Sequence, residues 1–173
     1  RVLSYDYYTY SHSVNVCLYA IAIGKKLSLS DSELSELAHG AILHDIGKSK
    51  ISDKILNKEG PLDESEFTTM KTHTTLGESI LVKLGEKSQI ILDSVAYHHE
   101  KLDGGGYPKG LKDGEIPYYA QIIAVADVFD ALTTKRSYKD ALGSFAALRV
   151  MRDKMEGHLA QKPLNALILS FRP

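Results

Sequence analysis

The chain has 173 residues, and its 21 basic and 22 acidic side chains nearly cancel. That balance gives no general nucleic-acid surface and no basic membrane patch, no apolar run approaches the roughly 18 residues of a membrane span, and no signal peptide is visible. Its one cysteine, Cys17, excludes an internal disulfide framework and fits a reducing, cytoplasmic setting.

At this length the chain reads as one domain that buries about 70% of its unfolded surface. It opens at Arg1, inside a helical pattern and without Met, which points to a domain excised from a longer protein. Helical periodicity dominates, and no alternating strand pattern, internal repeat or low-complexity segment appears. The expected fold class is all-α.

The first helix is predicted over 6–26, with Val14, Cys17, Leu18 and Ile21 as its core stripe and His12 near its start. Tyr8 lies one turn before His12 on the same face. Ser30-Asp-Ser-Glu33 reads as a capping box for a second helix over 31–46. Leu34, Leu37, Ala38 and Ala41 make its buried stripe, and His44 and Asp45 continue it. An inward imidazole and carboxylate need a partner or a metal. Gly47 is expected as the αL cap, with Lys48 beside the pair.

A short helix near 52–57 precedes one helix over 64–84, capped by Asp63-Glu-Ser-Glu66. Its inward positions run through Phe67, Met70, His73, Leu76 or Gly77, Ile80 and Leu84. The next helix, 87–100, presents Ile91 and Val95 and then His98 and His99 at its inward end. Residues 101–117 hold five glycines and two prolines and form one long loop. A loop of that length inside a compact domain usually carries function. Helix 118–134 is apolar almost all round, hence central, yet it contains Asp127 and, on the same face, Asp130. A carboxylate in that position requires a strong partner. Helices over 144–156 and 163–171 close the chain; His39 and His158 are assigned no role.

Five of the seven histidines, with Asp45 and Asp127, thus fall on inward faces. Imidazole plus carboxylate without a thiolate cluster suits iron, manganese or zinc. So many donors exceed one tetrahedral ion, whereas two ions about 3.5–4 Å apart with Asp45 as the bridge account for them. Such a pair generates hydroxide at neutral pH and clamps both oxygens of an in-line displacement at phosphorus. Lys48 would neutralise phosphoryl charge. The residues therefore read as a phosphohydrolase.

At this point the chain resembles the HD-GYP branch of the HD phosphohydrolase superfamily along nearly its whole length. The resemblance rests on Tyr8-Thr-Tyr-Ser-His-Ser13, Leu43-His-Asp-Ile-Gly-Lys48, His73 followed by Gly77, His98-His-Glu-Lys-Leu-Asp-Gly-Gly-Gly-Tyr-Pro108, Val125-Ala-Asp-Val-Phe-Asp-Ala-Leu-Thr133 and Arg136-Ser-Tyr-Lys139. It implies an all-α HD-domain bundle with the Gly/Pro-rich loop near the metal site. It implies cytosolic hydrolysis of cyclic di-GMP to linear pGpG or GMP on two divalent transition-metal ions, iron first and manganese as the alternative. His12, His44, Asp45, His73, His98, His99 and Asp127 would be the metal ligands, with Asp45 and Lys48 catalytic. Lys48, Arg136 and Lys139 would contact phosphate, and Gly106, Tyr107 and Pro108 would border the substrate or a partner domain. The resemblance also implies a sensor or receiver domain in the full chain and a diguanylate cyclase domain as a partner.

The chain departs from the family at Gln121, where Arg is usual, and in Gly157-His-Leu-Ala-Gln-Lys-Pro163, which replaces an ending in Phe-Asp-Pro. Tyr8 matters more: three-metal members carry Glu there, one turn before the first helical His. A neutral phenol with a pKa near 10 is a poor ligand. The expectation is a two-metal site, with Tyr8 and Asp130 supporting it from outside the ligand set. The competing readings are hydrolysis of another nucleotide such as cyclic GMP-AMP, a non-catalytic nucleotide- or partner-binding module, and a diiron oxygenase.

Overall fold

The computed structural model describes residues 2–135 and 141–171, and for residues 2–9 the backbone alone. Helix α1 is Val2–Lys26 and α2 is Asp31–Leu43, followed by a 3-10 helix, Ile46–Lys50. Then come α3 (Asp53–Leu56), α4 (Glu64–Lys71), α5 (His73–Lys83), α6 (Gln89–Tyr97), α7 (Tyr118–Thr133), α8 (Ser144–Lys154) and α9 (Gln161–Ser170). The fold is all-α; among the described residues the one extended pairing is an isolated bridge between Asp103 and Lys112.

Local chemistry fixes several starts. The Ser30 hydroxyl accepts from the Glu33 amide, and the Glu33 carboxylate accepts from the Ser30 amide. Asp63 and Glu66 repeat the arrangement at α4. Each box satisfies amide donors that the helix cannot. Ser88 caps α6 by accepting from the Ile91 amide, and its hydroxyl donates to Glu36 on α2.

Helix α7 is central: Ile122, Ile123, Ala124, Val125, Ala126, Phe129 and Leu132 are buried, and α1, α6, α8 and α9 pack around it. Phe129 meets Tyr19 edge-on at 4.8 Å and Phe171 at 5.3 Å between ring centroids. Truncating such a ring typically costs about 3–5 kcal/mol. A smaller cluster of Leu81, Ile91 and Val95 with Leu43 and Ile46 ties α5 and α6 to the segment after α2.

The structure corrects the sequence reading in three places. Helix α1 turns Val16, Ala20 and Ile23 into the core, while Leu18 is 59% exposed. The helix is apolar on more than one side, so periodicity alone selects the wrong stripe. The helix expected over 64–84 breaks at Thr72 into α4 and α5, and Phe67 and Leu84 face outward. Thr68, Thr69, Thr72, Thr74 and Thr75 each donate a hydroxyl back to a carbonyl three or four residues earlier. Such back-bonding competes with the helix ladder and bends it. Finally, α2 stops at Leu43, and Gly47 is no αL cap: it lies inside the 3-10 helix, without positive φ. A Cβ on Gly47 would stand 1.8 Å from the His73 carbonyl oxygen. This glycine exists for close approach, letting the 3-10 helix touch the start of α5.

Candidate metal centre

The packing brings five segments to one point. His12 comes from α1, His44 and Asp45 from the end of α2, and His73 opens α5. His98 and His99 follow α6, and Asp127 projects from α7. Their donor atoms form two groups, Asp45 with His73, His98 and His99, and His12 with His44 and Asp127, each within 4.8 Å of one another.

Two carboxylates span both groups. Asp45 Oδ1 lies 3.3 Å from His73 Nε2 and 4.0 Å from His98 Nε2. Its Oδ2 lies 3.3 Å from His44 Nε2 and 3.8 Å from His12 Nε2. Asp127 Oδ1 is 3.2 Å from His12 Nε2, and its Oδ2 is 4.0 Å from His99 Nδ1. Donors that share an ion at about 2.1 Å sit roughly 3 Å apart, so these spacings suit two neighbouring ions.

Four imidazoles are held by their far nitrogens. His44 Nδ1–H donates to Ala41 O at 2.7 Å, and His73 Nδ1–H to Met70 O at 2.7 Å. His98 Nδ1–H is shared between Val95 O and Ser94 O at 3.0 and 3.1 Å. A carbonyl only accepts, so Nδ1 carries the proton and each Nε2 lone pair points into the centre. His12 Nδ1–H donates to Asp130 Oδ2 at 2.6 Å. Asp130 is fully buried, and Asn15 and Thr134 each donate to its Oδ1 at 2.8 Å.

The donor set fits divalent metal on an independent ground. His44 Nε2, Asp45 Oδ1, His73 Nε2 and His98 Nε2 are buried with no hydrogen-bond partner. Each such atom costs about 1–3 kcal/mol when left unsatisfied, and all four point at the shared space. Burial lowers the affinity of His73 and His98 for protons and brings His99 to about 4. These rings present lone pairs, with no proton to displace at neutral pH. Burial would raise the Asp45 and Asp127 carboxyls, but the surrounding cationic and imidazole groups hold both well below the usual range. Burial also disfavours the His12 cation, yet bonds to Asp127 and Asp130 lift that ring to about 9.

Lys48 Nζ donates to Asp45 Oδ2 at 2.5 Å from a side chain 30% exposed, so it sits between the centre and solvent. The loop closes against His99. The Tyr107 amide donates to His99 O at 3.2 Å, and the Tyr107 ring covers His99 at 4.8 Å between centroids, tilted 32°. Gly106 makes room for this: a Cβ there would lie 2.4 Å from Lys101 N. The peptide before Pro108 is cis. Arg136, Lys139 and the Tyr8 side chain lie outside the described residues.

Sequence reasoning overlooked several supports. Glu100 is 3% exposed and accepts from the amides of Lys109 at 2.7 Å and Leu111 at 2.9 Å, mooring the loop next to His98 and His99. An acid at a helix end reads as solvent-facing, and nothing in its spacing says otherwise. Asn15 was findable, since it lies three residues after His12 on one helix face.

The HD domain family model matches residues 6–160. The chain is 38% identical over 168 residues to a cyclic di-GMP phosphodiesterase of Pseudomonas aeruginosa, covering 97% of this chain and 40% of that protein. It is 41% identical over 156 residues to a 3'3'-cGAMP-specific phosphodiesterase of Vibrio cholerae, covering 90% of this chain and 33% of that one. The chain therefore spans well under half the length of these relatives. Among solved structures, an HDG"Y"P protein of Bdellovibrio bacteriovorus superposes with a TM-score of 0.74 at 24% identity, over 93% of this chain and 52% of that one; that likeness concerns the fold.

Proposed function

Because this chain belongs to the HD domain family, we propose that it is a metal-dependent phosphodiesterase of the HD-GYP type that hydrolyses cyclic di-GMP to pGpG or GMP. The observation that carries this reading is the convergence of three partnerless buried imidazole nitrogens and the partnerless Asp45 Oδ1, with the Asp45 and Asp127 carboxylates each facing both donor groups. His12, His44, His73, His98, His99, Asp45 and Asp127 would hold two divalent ions, iron first and manganese as the alternative. The ions would supply Lewis acidity and a water of lowered pKa.

The remaining work belongs to side chains. Asp130 holds the proton on His12 Nδ1, so Nε2 is the nitrogen that would face an ion. Asp45 sets the spacing of the two groups, and Lys48 stands by its Oδ2 to meet charge that develops on the phosphoryl oxygens. The Tyr107 ring lies against the His99 ring and would limit its movement. Arg136 and Lys139 would contact a phosphate of the substrate, and Tyr8 would stand at the edge of a two-ion site. No helix is long and apolar enough to cross a membrane among the described residues. We place the domain in the cytoplasm, behind a sensor or receiver domain and beside diguanylate cyclase partners.

The test is elemental analysis of protein purified anaerobically with metal supplied, followed by turnover of cyclic di-GMP. Two ions per chain and release of pGpG or GMP are expected, and Asp45→Ala should lose both metal and turnover while remaining helical. A metal-replete protein that leaves cyclic di-GMP intact but opens cyclic GMP-AMP would move the assignment to the second reading, which the Vibrio cholerae relative favours.

A further inference from the structure

Helix α4 leaves a large aromatic ring in solvent beside the metal centre. Phe67 is 47% exposed and belongs to neither buried apolar cluster. Its ring meets the Tyr107 ring edge-on, 6.4 Å between centroids and 82° between planes. Tyr107 in turn lies 6.3 Å from the His73 ring and 4.8 Å from the His99 ring. An unbroken aromatic wall thus runs from two candidate metal ligands out to Phe67. The ammonium of Lys71 sits over the Phe67 ring at 5.0 Å from the centroid. That contact covers part of the ring and leaves the rest of its surface to solvent.

A flat, exposed ring at the outer end of such a wall matches what a purine requires, since stacking uses the π-face and tolerates any base. A nucleoside that ran outward along Tyr107 from a phosphodiester at the centre would meet the Phe67 ring next. We propose that Phe67 is a base-stacking residue, forming with Lys71 a purine subsite at the edge of the centre. This proposal rests on the phosphodiesterase reading. It assigns to Phe67 the binding of the nucleoside beyond the scissile phosphate, with no part in the chemical step. Because Phe67 stands outside both buried apolar clusters, the ring can be removed without opening the core.

The experiment compares the wild type with Phe67→Ala and Phe67→Trp on metal-loaded protein. The substrates are cyclic di-GMP and methyl p-nitrophenyl phosphate, a diester with no purine. Stacking on a protein aromatic is worth a factor of about 5 to 150 per base on truncation to alanine. Phe67→Ala should therefore raise KM for cyclic di-GMP roughly tenfold or more, with kcat within about twofold. Phe67→Trp should restore KM, and all three proteins should hold equal metal and cleave the small diester equally. An unchanged KM in Phe67→Ala, or an equal loss on both substrates, overturns the stacking role and leaves the phosphodiesterase reading intact. A wild type that cleaves the small diester but no cyclic dinucleotide overturns the reading and the subsite together.

Discussion

Gly47→Ala tests how rigidly the fold holds the candidate centre. The new Cβ would meet three backbone atoms, His73 O at 1.8 Å, Gly77 N at 2.6 Å and His73 C at 2.8 Å. None is the end of a flexible side chain. To bring the first contact from 1.8 Å even to 3.0 Å, the shortest approach a Cβ makes, the start of α5 must retreat by at least about 1.2 Å, or the 3-10 helix must. His73 opens α5, and Asp45 immediately precedes the 3-10 helix, so either retreat separates Asp45 Oδ1 from His73 Nε2, now 3.3 Å apart. Metal sites tolerate about 0.2 Å in their ligand distances. A misplacement near 1 Å costs about 100-fold in rate. Overpacking of this kind typically lowers stability by about 1–3 kcal/mol, which leaves most domains folded. Elemental analysis should therefore show loss of metal, and turnover of cyclic di-GMP should fall by about 100-fold or more, with helical circular dichroism retained. Gly143→Ala is the control, because nothing lies within 4 Å of its Cβ and its φ of −62° suits any residue. A Gly47→Ala protein with full metal content and full turnover would refute the argument that this contact sets the position of His73.

Lys48→Ala removes the cation at Asp45 Oδ2, and kcat should fall on the order of 100-fold with a smaller change in KM, read from steady-state kinetics on metal-matched samples. Asp130→Asn weakens the anchor of His12 Nδ1; metal affinity should drop about 10- to 100-fold, measured by chelator competition. Glu33 accepts from the Ser30 hydroxyl, Tyr119 and the Ser30 amide, which depress its carboxyl to about 2. A depressed folded-state value means stability that is present above the ordinary carboxylate range and lost as pH falls toward 2. Glu33→Gln should flatten that part of the acid-unfolding curve, followed by circular dichroism, and leave the curve above pH 6 unchanged in shape.

What the sequence revealed and what it hid have separate physical causes. His44 and Asp45 are legible because they continue a helical stripe that already contains Leu37 and Ala41, both buried. Asp127 is legible because the helix around it is apolar on nearly every side. Short-range capping chemistry also reads directly, as the Ser30 and Asp63 boxes show. Periodicity fails where a helix is apolar on two faces, and Val16, Ala20 and Ile23 of α1 were missed for that reason. It fails again at Thr72, where hydroxyls compete with the ladder without interrupting the apolar spacing. Gly47 shows a third limit: a glycine required by another segment's backbone looks in sequence like one required by its own φ.

The mooring of the loop by Glu100 also bears on how this scaffold can diversify. A seventeen-residue connection is ordinarily a soft appendage, whose internal freedom blurs whatever it presents. Here one carboxylate, adjacent in sequence to His98 and His99, grips the amides of Lys109 and Leu111. The connection is thereby divided into two shorter spans, each with less entropy to lose. The grip uses main-chain amides, so it does not depend on which side chains the loop carries. An exposed position such as Lys101 can be rewritten while the grip on the loop amides stays in place. A lineage can thus change the rim that a substrate or partner first meets and inherit the reacting centre unaltered.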